Sequence, residues 1–105
     1  MSTEFQPAGG PDMAEGEIVV THPIGLHARP SVKLTQLAKT FDASIRMRVL
    51  DDGKWVDAKS IVRVMAMKVK VGQTLLVQAE GVDAASAVDA LVTLVGRDFD
   101  EQNAG

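Results

Sequence analysis

The clearest structural signal in the chain is the stretch of residues 43–49, which reads ASIRMRV. Its apolar residues stand at every second position, and the positions between them carry a serine and two arginines. Because successive side chains of a strand point to opposite faces, this alternation predicts a β-strand with one buried face. Turn residues follow at 51–54, where Gly53 permits a positive φ, so residues 55–57 should return as an antiparallel partner.

Helices are predicted on both sides of this hairpin from apolar residues that recur at helical spacing. The stripe before the hairpin consists of Leu34, Leu37, Ala38 and Phe41. The stripe of the last helix consists of Ala84, Ala87, Val88, Leu91 and Val95. We expect Asp83 to cap this last helix and Gly96 to end it. Between the two, the Ser60 hydroxyl can accept a hydrogen bond from an early N–H and so cap a short helix that extends to about Met67.

Two further strands complete the predicted elements. Residues 17–21 have the β-branched apolar residues Ile18, Val19 and Val20 at their centre, and residues 74–80 place alternate apolar side chains on one face. The resulting order of strand, helix, hairpin, helix, strand and helix is not that of a purely parallel sheet. The sequence therefore predicts an α+β fold, in which three helices cover one face of a four-stranded antiparallel sheet.

The composition restricts the protein to a few classes. A length of 105 residues suits one core, and 46% hydrophobic against 24% charged residues is ordinary globular usage. The chain has no cysteine, and no carboxylate is spaced to join its two histidines, so we expect neither disulfides nor a metal site. A net charge of −3 without a basic cluster argues against nucleic-acid binding.

The ends of the chain differ in composition from its middle. Residues 1–15 combine prolines and glycines with small polar and acidic residues, which predicts a disordered N-terminal tail. Because this tail has neither a basic start nor an apolar run, we expect no membrane insertion and a cytoplasmic location. The folded domain should span residues 16–97, and residues 98–105 should form an acidic C-terminal tail.

The most informative residues for function are Gly25–Pro30, which read GLHARP. His27 stands where a strand connection ends and a helix starts. An imidazole of ordinary pKa, about 6.5, keeps a neutral nucleophilic nitrogen at cellular pH. A group attached to it at a helix start meets unpaired backbone N–H groups and the positive end of the helix dipole, which favour an anion. Arg29 adds a cationic donor suited to phosphoryl oxygens, and Pro30 marks the first helical turn.

The hexad and its surroundings resemble the histidine-containing phosphocarrier family, HPr, of the bacterial phosphotransferase system. The likeness continues in family order over the stretches Phe41–Ala43, Asp52–Gly53, Ala58–Ile61 and Ala79–Gly81. The resemblance implies an open-faced β-sandwich. It also implies a phosphoryl group that His27 accepts on Nδ1 from enzyme I and passes to IIA-type proteins, in sugar uptake or its regulation. The protein would then be a monomeric phosphocarrier without a cofactor, rather than a self-sufficient enzyme.

The resemblance assigns further roles around the hexad. The Arg29 side chain and the backbone N–H groups of Ala28 and Arg29 would contact the phosphate. The surface that meets enzyme I and the IIA proteins, here called the docking patch, would consist of Ala28, Ile61, Val62 and Met65 with the basic residues Arg63 and Lys39. Some of these apolar residues should instead belong to the core, because a short helix cannot expose all of them.

Several alternatives stay open at this point. Ser60 matches a serine that a dedicated kinase modifies in part of the family, but an ordinary helix cap uses the same hydroxyl. Ile24 replaces the small polar residue of sugar-branch carriers, and Lys68 stands where many members have glycine. Ile24 and the ending Phe99–Glu101 are similar to nitrogen-branch carriers. Other functions are a regulatory module controlled by phosphorylation of Ser60 or His27, and a ligand-binding domain that shares only the fold.

Overall fold

The computed structural model describes residues 12–21, 28–51 and 54–100, except the side chain of residue 100. The elements, in chain order, are β1 (Met13–Val19), α1 (Ala28–Ala38), β2 (Ser44–Val49), β3 (Val56–Asp57), α2 (Ile61–Ala66), β4 (Thr74–Glu80), α3 (Ala84–Gly96) and a C-terminal turn of 3₁₀ helix (Asp98–Asp100). Within these residues four strands form one antiparallel sheet in the order β1-β4-β2-β3. The predicted α+β fold, with three helices on one face of the sheet, is confirmed.

β4 lies inside the sheet because it pairs with β1 on one side and with β2 on the other. Alternate residues of β4 are buried, namely Leu75, Val77 and Ala79. β2 confirms the alternation predicted for residues 43–49, since all four apolar residues of that stretch are buried in the same core. Removal of this apolar face from water is the main driving force that holds the helices on the sheet.

The predicted helical stripes are also confirmed. In α1, Leu34 and Ala38 are buried, while Leu37 packs against the core with part of its surface exposed, as does Phe41, which lies just beyond the end of the helix. All five residues of the stripe predicted for the last helix are buried in α3. This helix ends at Gly96 as predicted, and it packs on β1 and β4.

The first strand was predicted at residues 17–21, but β1 runs from Met13 to Val19. It pairs with β4 over its full length, so main-chain hydrogen bonds hold its first half where the sequence shows no apolar run. At Gly16 an added Cβ would lie 2.8 Å from Cγ1 of Val88, so the absence of a side chain lets α3 approach this strand. Residues 13–15, which we predicted to lie in the N-terminal tail, therefore belong to the sheet.

The C-terminal segment also differs from its prediction. Residues 98–105 were predicted as an acidic tail, but Asp98–Asp100 form a tight turn that packs against α3. The Phe99 side chain is fully buried and belongs to the hydrophobic core. A single large apolar residue among charged ones forms no periodic pattern, so the sequence does not predict its burial. The burial of Phe99 extends the folded unit to residue 99.

Lys68 adopts an unusual backbone conformation directly after the C-cap of α2. Its φ is +53°, and its N–H donates to the carbonyl of Met65 at 3.2 Å. A left-handed residue at this position terminates a helix, and glycine adopts that conformation without strain. Lys68 satisfies this backbone requirement at a cost of about 1 kcal/mol.

Asp83 occupies the N-cap position of α3, but its side chain makes no capping hydrogen bond, which corrects the predicted cap. Its carboxylate oxygens accept instead from the N–H of Asp42 at 2.9 Å and from the N–H of Ala43 at 2.8 Å. Gly81, with a φ of +145°, lets the chain pass so close to Ala43 that an added Cβ would lie 2.8 Å from its Cα. The hydrogen bond from the Asp42 N–H lowers the pKa of the Asp83 carboxyl.

This lowered pKa predicts a pH-dependent contribution of Asp83 to stability. Because the unfolded chain binds the proton more tightly, the contribution is present above the ordinary pKa of 3.8 and is lost as the pH falls through the lower folded value. We expect Asp83→Asn to lower the free energy of urea unfolding at neutral pH, with a smaller difference from the wild type in acid. Asp89→Asn, which changes an exposed carboxylate of α3, is the matched control. If Asp83→Asn lowered the free energy of unfolding by the same amount at neutral and at acid pH, the role of the lowered pKa would be contradicted.

Candidate functional site

The start of α1 is the structural feature on which the predicted phosphate site depends. α1 begins at Ala28, the residue directly after His27. His27 itself lies outside the described residues, with the rest of the segment 22–27. The first N–H groups of a helix have no carbonyl partner within it, and α1 has no acidic residue in its first turn. An anion attached to residue 27 would therefore lie next to the positive end of a helix, with no carboxylate of that turn to repel it.

The first turn of α1 combines a buried face with an exposed one. Pro30 and Ser31 are buried, whereas Ala28 and Arg29 are exposed. An arginine in a first turn is poorly placed against the helix dipole, so its presence there favours a role beyond helix stability. The side chain of Arg29 and the first backbone N–H groups of α1 thus belong to the same helical turn, an arrangement suited to binding phosphoryl oxygens.

The C-terminal turn contacts the chain before and after the segment 22–27, which the sequence did not reveal. The hydroxyl of Thr21, the residue before the segment 22–27, donates to the Asp98 carboxylate. Nζ of Lys33 in α1 donates to the carbonyl oxygen of Phe99 at 2.9 Å. The signal that could have indicated the contact is Phe99, a large apolar residue in an otherwise polar ending.

Ser60 is the N-cap of α2, as predicted. Its side chain accepts from the N–H of Arg63 at 3.3 Å, and the residue is partly exposed. Lys59, immediately before it, is held by two contacts: its N–H donates to the Asp57 carboxylate at 2.9 Å, and its Nζ donates to the carbonyl of Phe41 at 2.7 Å. The second contact connects the start of α2 to the chain that follows α1, so the cap stands at a fixed position in the fold.

The docking patch lies on two helices that pack against each other, α1 and α2. Val62 is 73% exposed and Met65 is 41% exposed. Ala28, Arg63 and Lys39 are also exposed, and Ile61 is partly buried. The core side of α2 is formed by Val64, which is fully buried. The expectation that some of the apolar patch residues belong to the core was wrong: Val64, which is not a patch residue, supplies the buried position of α2, and Ile61 is only partly buried.

The open face of the sheet carries a separate polar cluster. Gln78 accepts a hydrogen bond from Arg46 and donates one to Glu15 across three strands. The Trp55 ring lies near the guanidinium groups of Arg46 and Arg48, at 5.6 and 5.2 Å from its centroid. These side chains partner one another, and the cluster contains none of the predicted site residues.

Two features of the described segments bear on other classes of function. In the described segments, no group of three or more histidine, cysteine, aspartate or glutamate residues could hold a metal ion. None of the helices in the described segments has the length and apolar character needed to span a bilayer.

Comparisons with known proteins agree with the geometry. The family described as "PTS HPr component phosphorylation site" matches residues 14–97. Phosphocarrier protein HPr of Cupriavidus necator is 39% identical over 89 residues, which covers 85% of this chain and 98% of that protein. Phosphocarrier protein NPr of Shewanella violacea is 34% identical over 87 residues, which covers 83% and 93%. A crystal structure of HPr from Thermoanaerobacter tengcongensis, 37% identical, matches 85% of this chain and 98% of that one with a TM-score of 0.79.

The fold and the matched region define the class of this protein, a small phosphocarrier with an open-faced β-sandwich. The chain belongs to the PTS HPr family of the phosphotransferase system. The family resemblance stated from the GLHARP hexad is thereby confirmed. The comparisons include carriers named HPr and carriers named NPr, so the similarity is compatible with either branch of the family.

Proposed function

We propose that this protein accepts a phosphoryl group on His27 from enzyme I and passes it to IIA-type proteins. The observation that carries the proposal is the start of α1 at Ala28, directly after His27, within a chain that belongs to a phosphocarrier family. The helix start supplies donors and a positive dipole at the position where the transferred group would be held. We also propose that the protein acts as a cytoplasmic monomer, as expected from its sequence.

The proposed transfer needs no cofactor. The lone pair of Nδ1 on a neutral His27 attacks the phosphorus atom carried by enzyme I, and a P–N bond forms. The bond between phosphorus and its donor atom breaks, and its electron pair stays with enzyme I. The N–H groups at the start of α1 and the guanidinium of Arg29 offset the charge on the phosphoryl oxygens, so positioning and charge compensation do most of the work. Attack by a nucleophile of the acceptor reverses these roles and frees His27.

The branch of the phosphotransferase system is a finer part of the proposal. Sugar uptake or its regulation is the first candidate. The alternative is a nitrogen-branch relay, which is supported by the ending Phe99–Glu101 and by the similarity to NPr. The burial of Phe99 indicates that this ending has a structural role, at least through residue 99. Transfer from the phosphorylated protein to IIA proteins of each type, compared under the same conditions, distinguishes the two branches.

Regulation through Ser60 is a second candidate function, favoured by the position of this residue. Ser60 directly precedes the patch residues Ile61 and Val62, so a phosphate on its hydroxyl would place negative charge at the edge of the docking patch. The hydroxyl is partly exposed, and its capping bond of 3.3 Å is long. A serine kinase and a matching phosphorylase would be the partners of this switch.

The central test is phosphorylation with phosphoenolpyruvate and enzyme I. We expect an acid-labile mass increase of one phosphoryl group, because a phosphoramidate is formed. His27→Ala should abolish it, whereas Ser60→Ala, the control, should retain it. Intact-mass spectrometry before and after acid treatment measures both. Labelling that persists in His27→Ala, or a wild type that is never labelled by a competent donor, would overturn the carrier function.

The docking patch predicts a specific effect on affinity. Val62→Glu places a charge on an exposed apolar residue, so the fold should remain while the KM of enzyme I for this protein rises about tenfold. Val82→Glu is the matched control, since Val82 is 86% exposed and lies outside the patch. Initial rates of phosphorylation give KM for both variants. Equal KM values for the two variants would remove Val62 from the interface.

The Ser60 proposal predicts that charge, rather than loss of the cap, weakens docking. Both aspartate and asparagine are good N-caps, so Ser60→Asp and Ser60→Asn should unfold at similar temperatures. We expect Ser60→Asp alone to raise the KM of enzyme I by about threefold. In addition, incubation of the wild type with a serine kinase of this system and ATP should give an acid-stable phosphoryl adduct, absent from Ser60→Ala. A normal KM for Ser60→Asp would leave only the capping role.

A further inference from the structure

We propose that the C-terminal turn is a positioning element for the His27 segment, and that Asp98 is the positioning residue. The inference rests on the proposed function, because it concerns the rate at which His27 is phosphorylated. The turn contacts the chain on both sides of the segment 22–27. Thr21 stands immediately before that segment, and Lys33 lies in the helix that begins immediately after it.

The two contacts converge on neighbouring residues of the turn. The Thr21 hydroxyl donates to the Asp98 carboxylate, and Nζ of Lys33 donates to the Phe99 carbonyl at 2.9 Å. The partners are 77 and 66 residues apart in sequence, so neither contact follows from local chain geometry. One short turn thus holds both Thr21, at the beginning of the connection, and Lys33 of α1, the helix that follows it.

The turn is itself firmly attached to the rest of the molecule. Phe99 is fully buried and is among the largest fully buried side chains. The turn packs against α3 as well as α1. A hydrogen bond to such a turn can therefore transmit the rigidity of the core to Thr21, which a bond to a loose tail could not.

The backbone of the turn is strained in a way that supports a functional role. Asp98 and Phe99 have φ values of +54° and +58°, in the left-handed region that non-glycine residues avoid. Such residues persist only where the surrounding structure holds them, and they cluster at functional sites. Here the holding contacts are the burial of Phe99 and the two hydrogen bonds that lead to either side of the His27 segment.

Asp98→Gly separates positioning from stability. Glycine adopts the backbone conformation of residue 98 without strain, so the variant should unfold at the same or a higher temperature than the wild type. It lacks the acceptor for Thr21, and small errors in placing a nucleophile slow a transfer that depends on orientation. We expect kcat for phosphorylation by enzyme I to fall about fivefold, with an unchanged KM because the docking patch is intact.

Companion variants test whether the hydrogen bond is the cause. Asp98→Asn retains an acceptor oxygen and should restore kcat to nearly the wild-type value. Thr21→Val should reproduce the loss seen in Asp98→Gly, and the double variant should lose no more than either single one. Thr40→Val removes a hydroxyl that donates to an exposed carbonyl at the other end of α1, and it should leave kcat unchanged.

The outcomes of this experiment are separable from those of the proposed function. A wild type that acquires no phosphoryl group contradicts the carrier function itself. A phosphorylated wild type together with a normal kcat for Asp98→Gly overturns only the positioning role. A kcat for Asp98→Asn as low as that for Asp98→Gly would also overturn it, since the loss would then follow the charge and not the hydrogen bond.

Discussion

The pairing of β4 with two strands at once is the constraint on which the rest of this structure depends. β4 forms main-chain hydrogen bonds with β1 on one side and β2 on the other, while its buried face supplies Leu75, Val77 and Ala79 to the core. A strand fixed on both edges and on one face has a single register, because a shift by one residue would turn its apolar side chains to the solvent. The three helices then have one apolar surface on which to pack.

This register also determines where the chain leaves the sheet towards the functional site. Val19, the last residue of β1, pairs with Thr74, and Val20 continues the contact by donating to the carbonyl of Gln73. The N–H of Gly72 donates in turn to the carbonyl of Val20. The chain therefore enters the segment 22–27 from a position set by the sheet, and it leaves that segment at the start of α1. A phosphoryl group on His27 would draw its stabilisation from this helix start.

Much of the fold could be predicted because periodic patterns report burial directly. The alternation in residues 43–49 and the stripes of α1 and α3 were correct, since each buries one face of a regular element. The first half of β1 could not be predicted, because an edge strand held by main-chain bonds needs no apolar run. Asp83 was placed correctly in sequence but with the wrong partners, since the backbone N–H groups that donate to its carboxylate lie about 40 residues away. The burial of Phe99 likewise leaves no periodic signal.

By itself, the sequence determined the type of fold, the amphipathic faces and the GLHARP hexad that indicates a phosphohistidine carrier. Each of these depends only on residue spacing and side-chain chemistry within a short stretch of chain. Only the tertiary structure decided that Met13–Glu15 belong to the sheet and that Phe99 belongs to the core. The contact between Asp98 and Thr21 was likewise decided only by the tertiary structure. Such contacts depend on the distance between residues in space, which a linear pattern does not encode when the partners are many residues apart.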